Sequence, residues 1–238
     1  MKKILSIAQL ALLTMGVANA QTADAIAKKY VEAIGGAAKW KAVKSMKQTI
    51  NISTQGIDIP GTIVSDAKNR ARVDVTAMGS KIVQAKDGIT AWWINPFQGA
   101  TQAAKMPAAV AKEFLAQEFL DNIIDWKKRG STLTLDGEEK VGDKDCFKLK
   151  LVRKDQSEVF YFIAKDNYTL VMSRAKSSAQ GTEQTVDTLF SDYEDFGGLL
   201  IAKKIVNKTG GAVRETTTIQ AVELNVEVTD DMFAFPGN

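Results

Sequence analysis

The sequence predicts a mainly β fold with a few helices, of the α+β class. Three observations predict it. Short runs in which apolar residues alternate with polar ones recur from Met46 to Leu224, the period of a half-buried strand. Turn signals such as Asp87-Gly88 and Asp136-Gly137 separate many of them. Helical spacing occurs only at the start and once within the series, so about ten or eleven strands follow one another as an antiparallel meander.

The elements follow in order. Ile26, Tyr30 and Ile34 recur every four residues after Thr22 or Asp24, either of which can cap a helix, and Gly35-Gly36 stops it. Residues 37–44, with Trp40 and Val43, extend to one or two further turns. Ile50 and Ile52, Ile57 and Ile59, and Val73 and Val75 then mark alternating strands, followed by runs over 81–85 and 89–94. Pro107 suits a first helical turn. From there Val110, Phe114, Leu115, Phe119, Leu120, Ile123, Ile124 and Trp126 form a broad apolar stripe that predicts one inserted helix over about 107–126. Strand patterns resume at 132–135, 146–152, 158–163, 169–176, 183–193, 201–208 and 214–224.

Before all of these stands a leader. Lys2 and Lys3 precede a 14-residue apolar run from Ile4 to Val17 and the small-residue end Ala18-Asn19-Ala20. A basic start, a short apolar middle and an A-x-A end predict a cleaved signal peptide over 1–20, and the run is shorter than the ~20 residues a membrane span needs. The expected mature chain is one domain over 21–238, starting at Gln21 and working outside the cytoplasm. Cleavage takes two lysines from 31 basic residues and none from 28 acidic ones, which leaves a balance of +1. So even a charge balance gives little basis for a nucleic-acid partner. Cys146 is the one cysteine, so no disulfide can form within the chain and stability has to come from the core.

Chemistry is constrained by what the sequence lacks. It contains no histidine, which removes the commonest general base and nitrogen ligand. Cys146 therefore has no imidazole to lower its pKa and reads as core. Asp136, Glu138, Glu139, Asp143 and Asp145 lack the loop spacing of a calcium site. No catalytic residues, metal or cofactor are expected. Adjacent Trp92 and Trp93 are more informative, because strand neighbours point to opposite faces and both faces must then be covered. The run Phe160, Tyr161, Phe162, Ile163 repeats the pattern. Either two-sided core burial or an apolar cavity on one side satisfies it.

The stretch Lys86-Asp87-Gly88-Ile89-Thr90-Ala91-Trp92-Trp93-Ile94-Asn95-Pro96-Phe97-Gln98-Gly99 resembles the periplasmic lipoprotein-sorting carriers, the LolA/LolB-like proteins. Residues 30–40 are similar to that family's opening helix and glycine pair. Phe190-Ser191-Asp192-Tyr193 with Gly198-Leu199 resembles its late hairpin, and Asp231-Met232-Phe233-Ala234-Phe235-Pro236 its closing segment. The sequence departs from the family at Leu199-Leu200-Ile201-Ala202, where a Phe-Pro pair is common. The resemblance implies an incomplete, curved antiparallel barrel whose N-terminal helix and inserted lid helix enclose an apolar cavity. The implied function is a monomeric carrier of acylated lipoprotein or lipid cargo, moving it between membrane-protein donors and acceptors towards the outer membrane. The alternative is a periplasmic sensor that uses the same cavity. The cavity and lid residues expected from the two tryptophans, the stripe and the aromatic run are Trp92, Trp93, Phe97, Val110, Phe114, Phe119, Ile123, Phe160 and Phe162.

Overall fold

The computed structural model describes residues 22–178 and 182–236. The expected leader, its cleavage site and the Gln21 start lie outside the described residues. Helix α1 (Ala23–Ala33) begins where Thr22 accepts the Ala25 N–H at 3.2 Å, a side-chain cap that satisfies one of the unpaired N–H groups of a first turn. It stops at Gly35, whose φ of +111° suits glycine. A Cβ there would lie 2.3 Å from the Gly198 carbonyl oxygen, so the end of α1 is pressed onto a distant hairpin turn. Helix α2 (Ala37–Ala42) is a single short piece.

Among the described residues, thirteen strands form one sheet that does not close. The first six are β1 (Ser45–Thr54), β2 (Ile57–Asp66), β3 (Ala71–Ala77), β4 (Ser80–Lys86), β5 (Ala91–Asn95) and β6 (Ala100–Lys105). Helix α3 (Ala108–Leu115) follows. The other seven are β7 (Thr132–Val141), β8 (Lys144–Val152), β9 (Glu158–Ala164), β10 (Leu170–Ser177), β11 (Gln184–Phe196), β12 (Leu199–Thr209) and β13 (Ala212–Leu224). Each half is an antiparallel meander, and pairing of β1 with β13 joins them. The sheet edges are β6 and β7, and residues 106–131 run from one to the other.

Two expectations need correction. Thirteen strands replace the ten or eleven expected. Among the additional ones is β6, Ala-Thr-Gln-Ala-Ala-Lys, which carries no apolar alternation and is held by its pairing with β5. The helix expected over 107–126 ends at Leu115. Its apolar stripe is divided among three places: Val110, Phe114 and Leu115 pack beside Trp93, Phe119 packs with Met46 and Ile50, and Ile123 and Ile124 pack beneath α1. A straight 20-residue helix would put all of them on one face. Here side-chain bonds hold the chain in a loop instead: Asn69 accepts the Phe119 N–H at 2.9 Å, and Asp121 accepts the Ile123 N–H at 2.7 Å.

Candidate functional site

Residues opposite one another in a ladder share a face of the sheet, so the pairing traces each face across the strands. On the inner face, towards α1 and α3, Ile205 stands opposite Thr217, Thr217 opposite Ile52, and Ile52 opposite Ile59. One rung along, Ile50 faces Gly61, Gly61 faces Val75, and Val75 faces Ile82. A third row runs from Ile63 through Val73 and Gln84 to Trp93. Gly61 is required at its place, because a Cβ there would meet the Val75 side chain at 2.5 Å.

Apart from Ile50, these side chains are only half-buried. Those near the middle, such as Ile63 and Ile205, pack on the Met46–Ile50 cluster. The rest, with Thr217 and Gln84 among them, form a half-buried, largely apolar strip on this face of the sheet. Isolated exposed apolar residues are ordinary, whereas a contiguous apolar surface marks a binding site.

Three anchors hold the inner elements over this face. Lys86, 2% exposed and on the inner side of β4, aims its ammonium at carbonyls at and just past the C-terminal end of α3, those of Leu115 at 3.4 Å and Gln117. Burial pushes its pKa down. Glu113 of α3 accepts from the Ser177 hydroxyl at 2.8 Å and the Ser178 N–H at 2.6 Å, tying the helix to the end of β10. Asp121 accepts from the Tyr30 hydroxyl at 2.6 Å, linking the 116–131 connection to α1. Burial raises the Asp121 pKa, and burial with the adjacent Asp121 charge raises that of Tyr30 well above its ordinary value.

The two tryptophans separate cleanly. Trp93 faces inward, beside Ala91, Met106 and Phe114. Trp92 faces outward, 1% exposed, and donates to the Phe233 carbonyl at 2.8 Å, with Phe235 edge-on at 6.3 Å. The closing segment is thus a strap on the outer face. Arg72 donates to the Met232 carbonyl at 3.0 Å, and Arg70, paired with Asp66 at 2.6 Å, lies over the Phe233 ring.

The structure brings together Trp93, Val110 and Phe114. Phe119 and Ile123 belong to the same side of the sheet but to separate clusters. Trp92 lies on the opposite face. Phe160 and Phe162 do too, beside Cys146 and Met172 with the Lys148 ammonium over their rings. Phe97 is 54% exposed in the turn between β5 and β6. Sequence reading missed Ile52, Ile59, Ile63, Val73, Val75, Ile82 and Ile205 as a set. Their alternation marks each strand's apolar side, but assembling them needs the register. Cys146 is a buried thiol whose pKa burial pushes up to about 11, so it is protonated and unreactive near neutral pH.

No protein-family profile matches the sequence, and no curated protein matches it. Solved structures do. A LolA superfamily protein from Nitrosomonas europaea superposes with a TM-score of 0.59 at 16% identity, over 90% of this chain and 98% of that one. The fold is LolA-like. A protein of the DUF1329 family from Desulfovibrio piger superposes on the LolA-like fold with a TM-score of 0.59 at 13% identity, over 89% of this chain and 97% of that one. A domain described as an outer membrane lipoprotein-sorting protein, from Vibrio parahaemolyticus, gives 0.59 at 12%, over 88% and 95%. The open sheet and its covering helices are those of the LolA-like fold, an incomplete curved barrel.

Proposed function

We propose that the protein is a periplasmic carrier that shelters acyl chains of lipoproteins or lipids on the inner face of its sheet, for transfer towards the outer membrane. The observation that carries this reading is the half-buried apolar surface running from Ile205 to Trp93. Each CH₂ withdrawn from water contributes about 0.8 kcal/mol, so an acyl chain crosses an aqueous space only with such a shelter. The LolA-like fold supports the reading, and so does the outer-membrane lipoprotein-sorting description of the Vibrio structure. Catalysis plays no part in it. Among the described residues no helix is long and apolar enough to cross a membrane, and the leader over 1–20 would direct export, with maturation at Gln21. Donor and acceptor membrane proteins would load and unload the carrier.

The test is a fluorescent fatty-acyl probe titrated into the protein. Ile52→Asp and Val73→Asp place a charge on the inner face and should each weaken probe binding at least tenfold, since an unpaired charge is costly on an apolar surface. Thr62→Asp, on the outer face of the same sheet, should leave it unchanged. A wild-type protein that binds no probe, or inner-face variants that bind like wild type, would defeat the proposal. Mass spectrometry of lipids and lipoproteins that co-purify would then name the cargo.

A further inference from the structure

The fold also holds a cleft of about 640 Å³ between α3, the β8–β9 turn and the facing ends of β10 and β11. Helix α3 borders both this cleft and the apolar inner face. Its Val110 and Phe114 turn to Trp93, while Ala109, Lys112, Glu113 and Ala116 line the cleft. Four cations and four carboxylates border the cleft, and their partners sort them. Arg174 is paired with Asp187 at 2.6 Å and Lys176 with Glu183 at 2.7 Å, while Glu158 is paired with Lys150 at 2.7 Å.

Among the described residues, two cations and two carboxylates are left without an oppositely charged partner at ion-pair distance. Arg153 has a buried Nε with no hydrogen-bond partner, and among the described residues its guanidinium donates to the neutral Ser157 hydroxyl, at 3.3 Å. Lys112 is exposed on α3. The Glu113 oxygens are met by Ser177 and Ser178, and Asp155 accepts from the Ser157 N–H and hydroxyl. Neither carboxylate is paired with a cation among the described residues. Asp155 is held below the usual carboxylate range, first by its bonds from Ser157 and further by the charges of Arg153 and Lys112, and Lys112, Glu113, Arg153 and Asp155 all line this one cleft.

A buried guanidinium edge without an acceptor is a cost that a ligand can remove. Two cations beside two carboxylates match a head that carries both signs of charge, whereas a purely anionic head would meet the carboxylates as repulsion. We propose that this cleft binds the headgroup of a zwitterionic phospholipid, with its phosphodiester on Arg153 and Lys112 and its primary ammonium on Glu113 and Asp155. The proposal rests on the acyl-carrier reading and deepens it, because α3 would then lie between the bound head and the chains on the inner face.

The experiment displaces the acyl probe with lipids that share one pair of acyl chains: phosphatidylethanolamine, phosphatidylglycerol, phosphatidylcholine and the headgroup-free diacylglycerol. Glycerophosphoethanolamine, which has no chains, is titrated separately by calorimetry. Phosphatidylethanolamine should compete about tenfold better than the diacylglycerol, the scale of one charge-assisted hydrogen bond, and also better than the other two phospholipids. Arg153→Gln should remove that advantage without changing competition by the diacylglycerol, and Arg153→Lys should restore part of it. Equal competition by phosphatidylethanolamine and diacylglycerol in wild type, or an advantage that survives Arg153→Gln, would overturn the subsite and leave the carrier reading standing. Tighter competition by phosphatidylglycerol would overturn the zwitterionic assignment. Binding of glycerophosphoethanolamine by a protein that takes up no acyl probe would overturn the carrier reading and the lipid source together. A thermal midpoint near wild type for both variants excludes unfolding as the cause of a loss.

Discussion

At the scale of single residues, the most constrained group is Asp121. Its carboxyl joins the inner connection to α1 through Tyr30, and burial raises its pKa despite the N–H and O–H donors that favour the charged form. The sign follows by linkage. A carboxyl whose folded pKa lies above its unfolded value favours folding while protonated, and that contribution is lost as pH rises from about 4 through the folded value. Asp121→Asn keeps an acceptor but cannot ionise. The wild-type thermal midpoint relative to this variant should therefore fall as pH is raised from 4 to 8, read by circular dichroism at several pH values. A difference that stays level or grows would show that the carboxylate is not desolvated. The capping role of Thr22 was legible from the helix-start pattern, and the inert character of Cys146 from the missing histidine. The pairing of Tyr30 with Asp121 was not, because 91 residues separate them and nothing local marks either as a partner.

At the scale of elements, α3 is the piece best suited to move. It has eight residues, packs mainly on β5, and is tethered at its far side by Glu113 and at its C-terminal end by Lys86. Few buried contacts and a small number of polar tethers describe a segment that opens at low free energy. Glu113→Ala should raise amide hydrogen exchange over 108–115 about tenfold, the equivalent of one hydrogen bond to a charged group, and leave the β1–β13 ladder protected. Uniform acceleration through the sheet, or none in α3, would show that α3 is an ordinary part of the core. The inserted helix was visible in the sequence as a stripe, but its end was not. Helical spacing of apolar residues is also satisfied by a chain that drops them successively into three clusters, and the Asn69 and Asp121 side chains that replace helical bonds become partners only on folding.

At the scale of the whole molecule, the sheet has two differently employed faces. The strap at 230–236 closes the outer face over Trp92, while the inner face stays partly open. Phe233 is fully buried, and Phe233→Ala should cost ~3 to 5 kcal/mol of stability in chemical unfolding, yet leave acyl-probe affinity within about twofold while the protein remains folded. Trp93→Asp should do the reverse, weakening the probe far more than it lowers the midpoint. If both substitutions affect binding alike, the faces are not independent. By itself the sequence determined the strand-rich class, the glycine stop of the first helix, the absence of histidine chemistry and the presence of apolar residues on both sides of the Trp92–Trp93 strand. These are local properties, set by side-chain period, backbone freedom and composition. Only the tertiary structure decided which tryptophan faces inward, that Phe160 and Phe162 lie on the other side, and that seven half-buried aliphatic residues from five strands form one surface. Strand register assigns those places, and register is a relation between segments far apart in the chain, fixed when β1 pairs with β13 and the connection from β6 to β7 packs across the inner face.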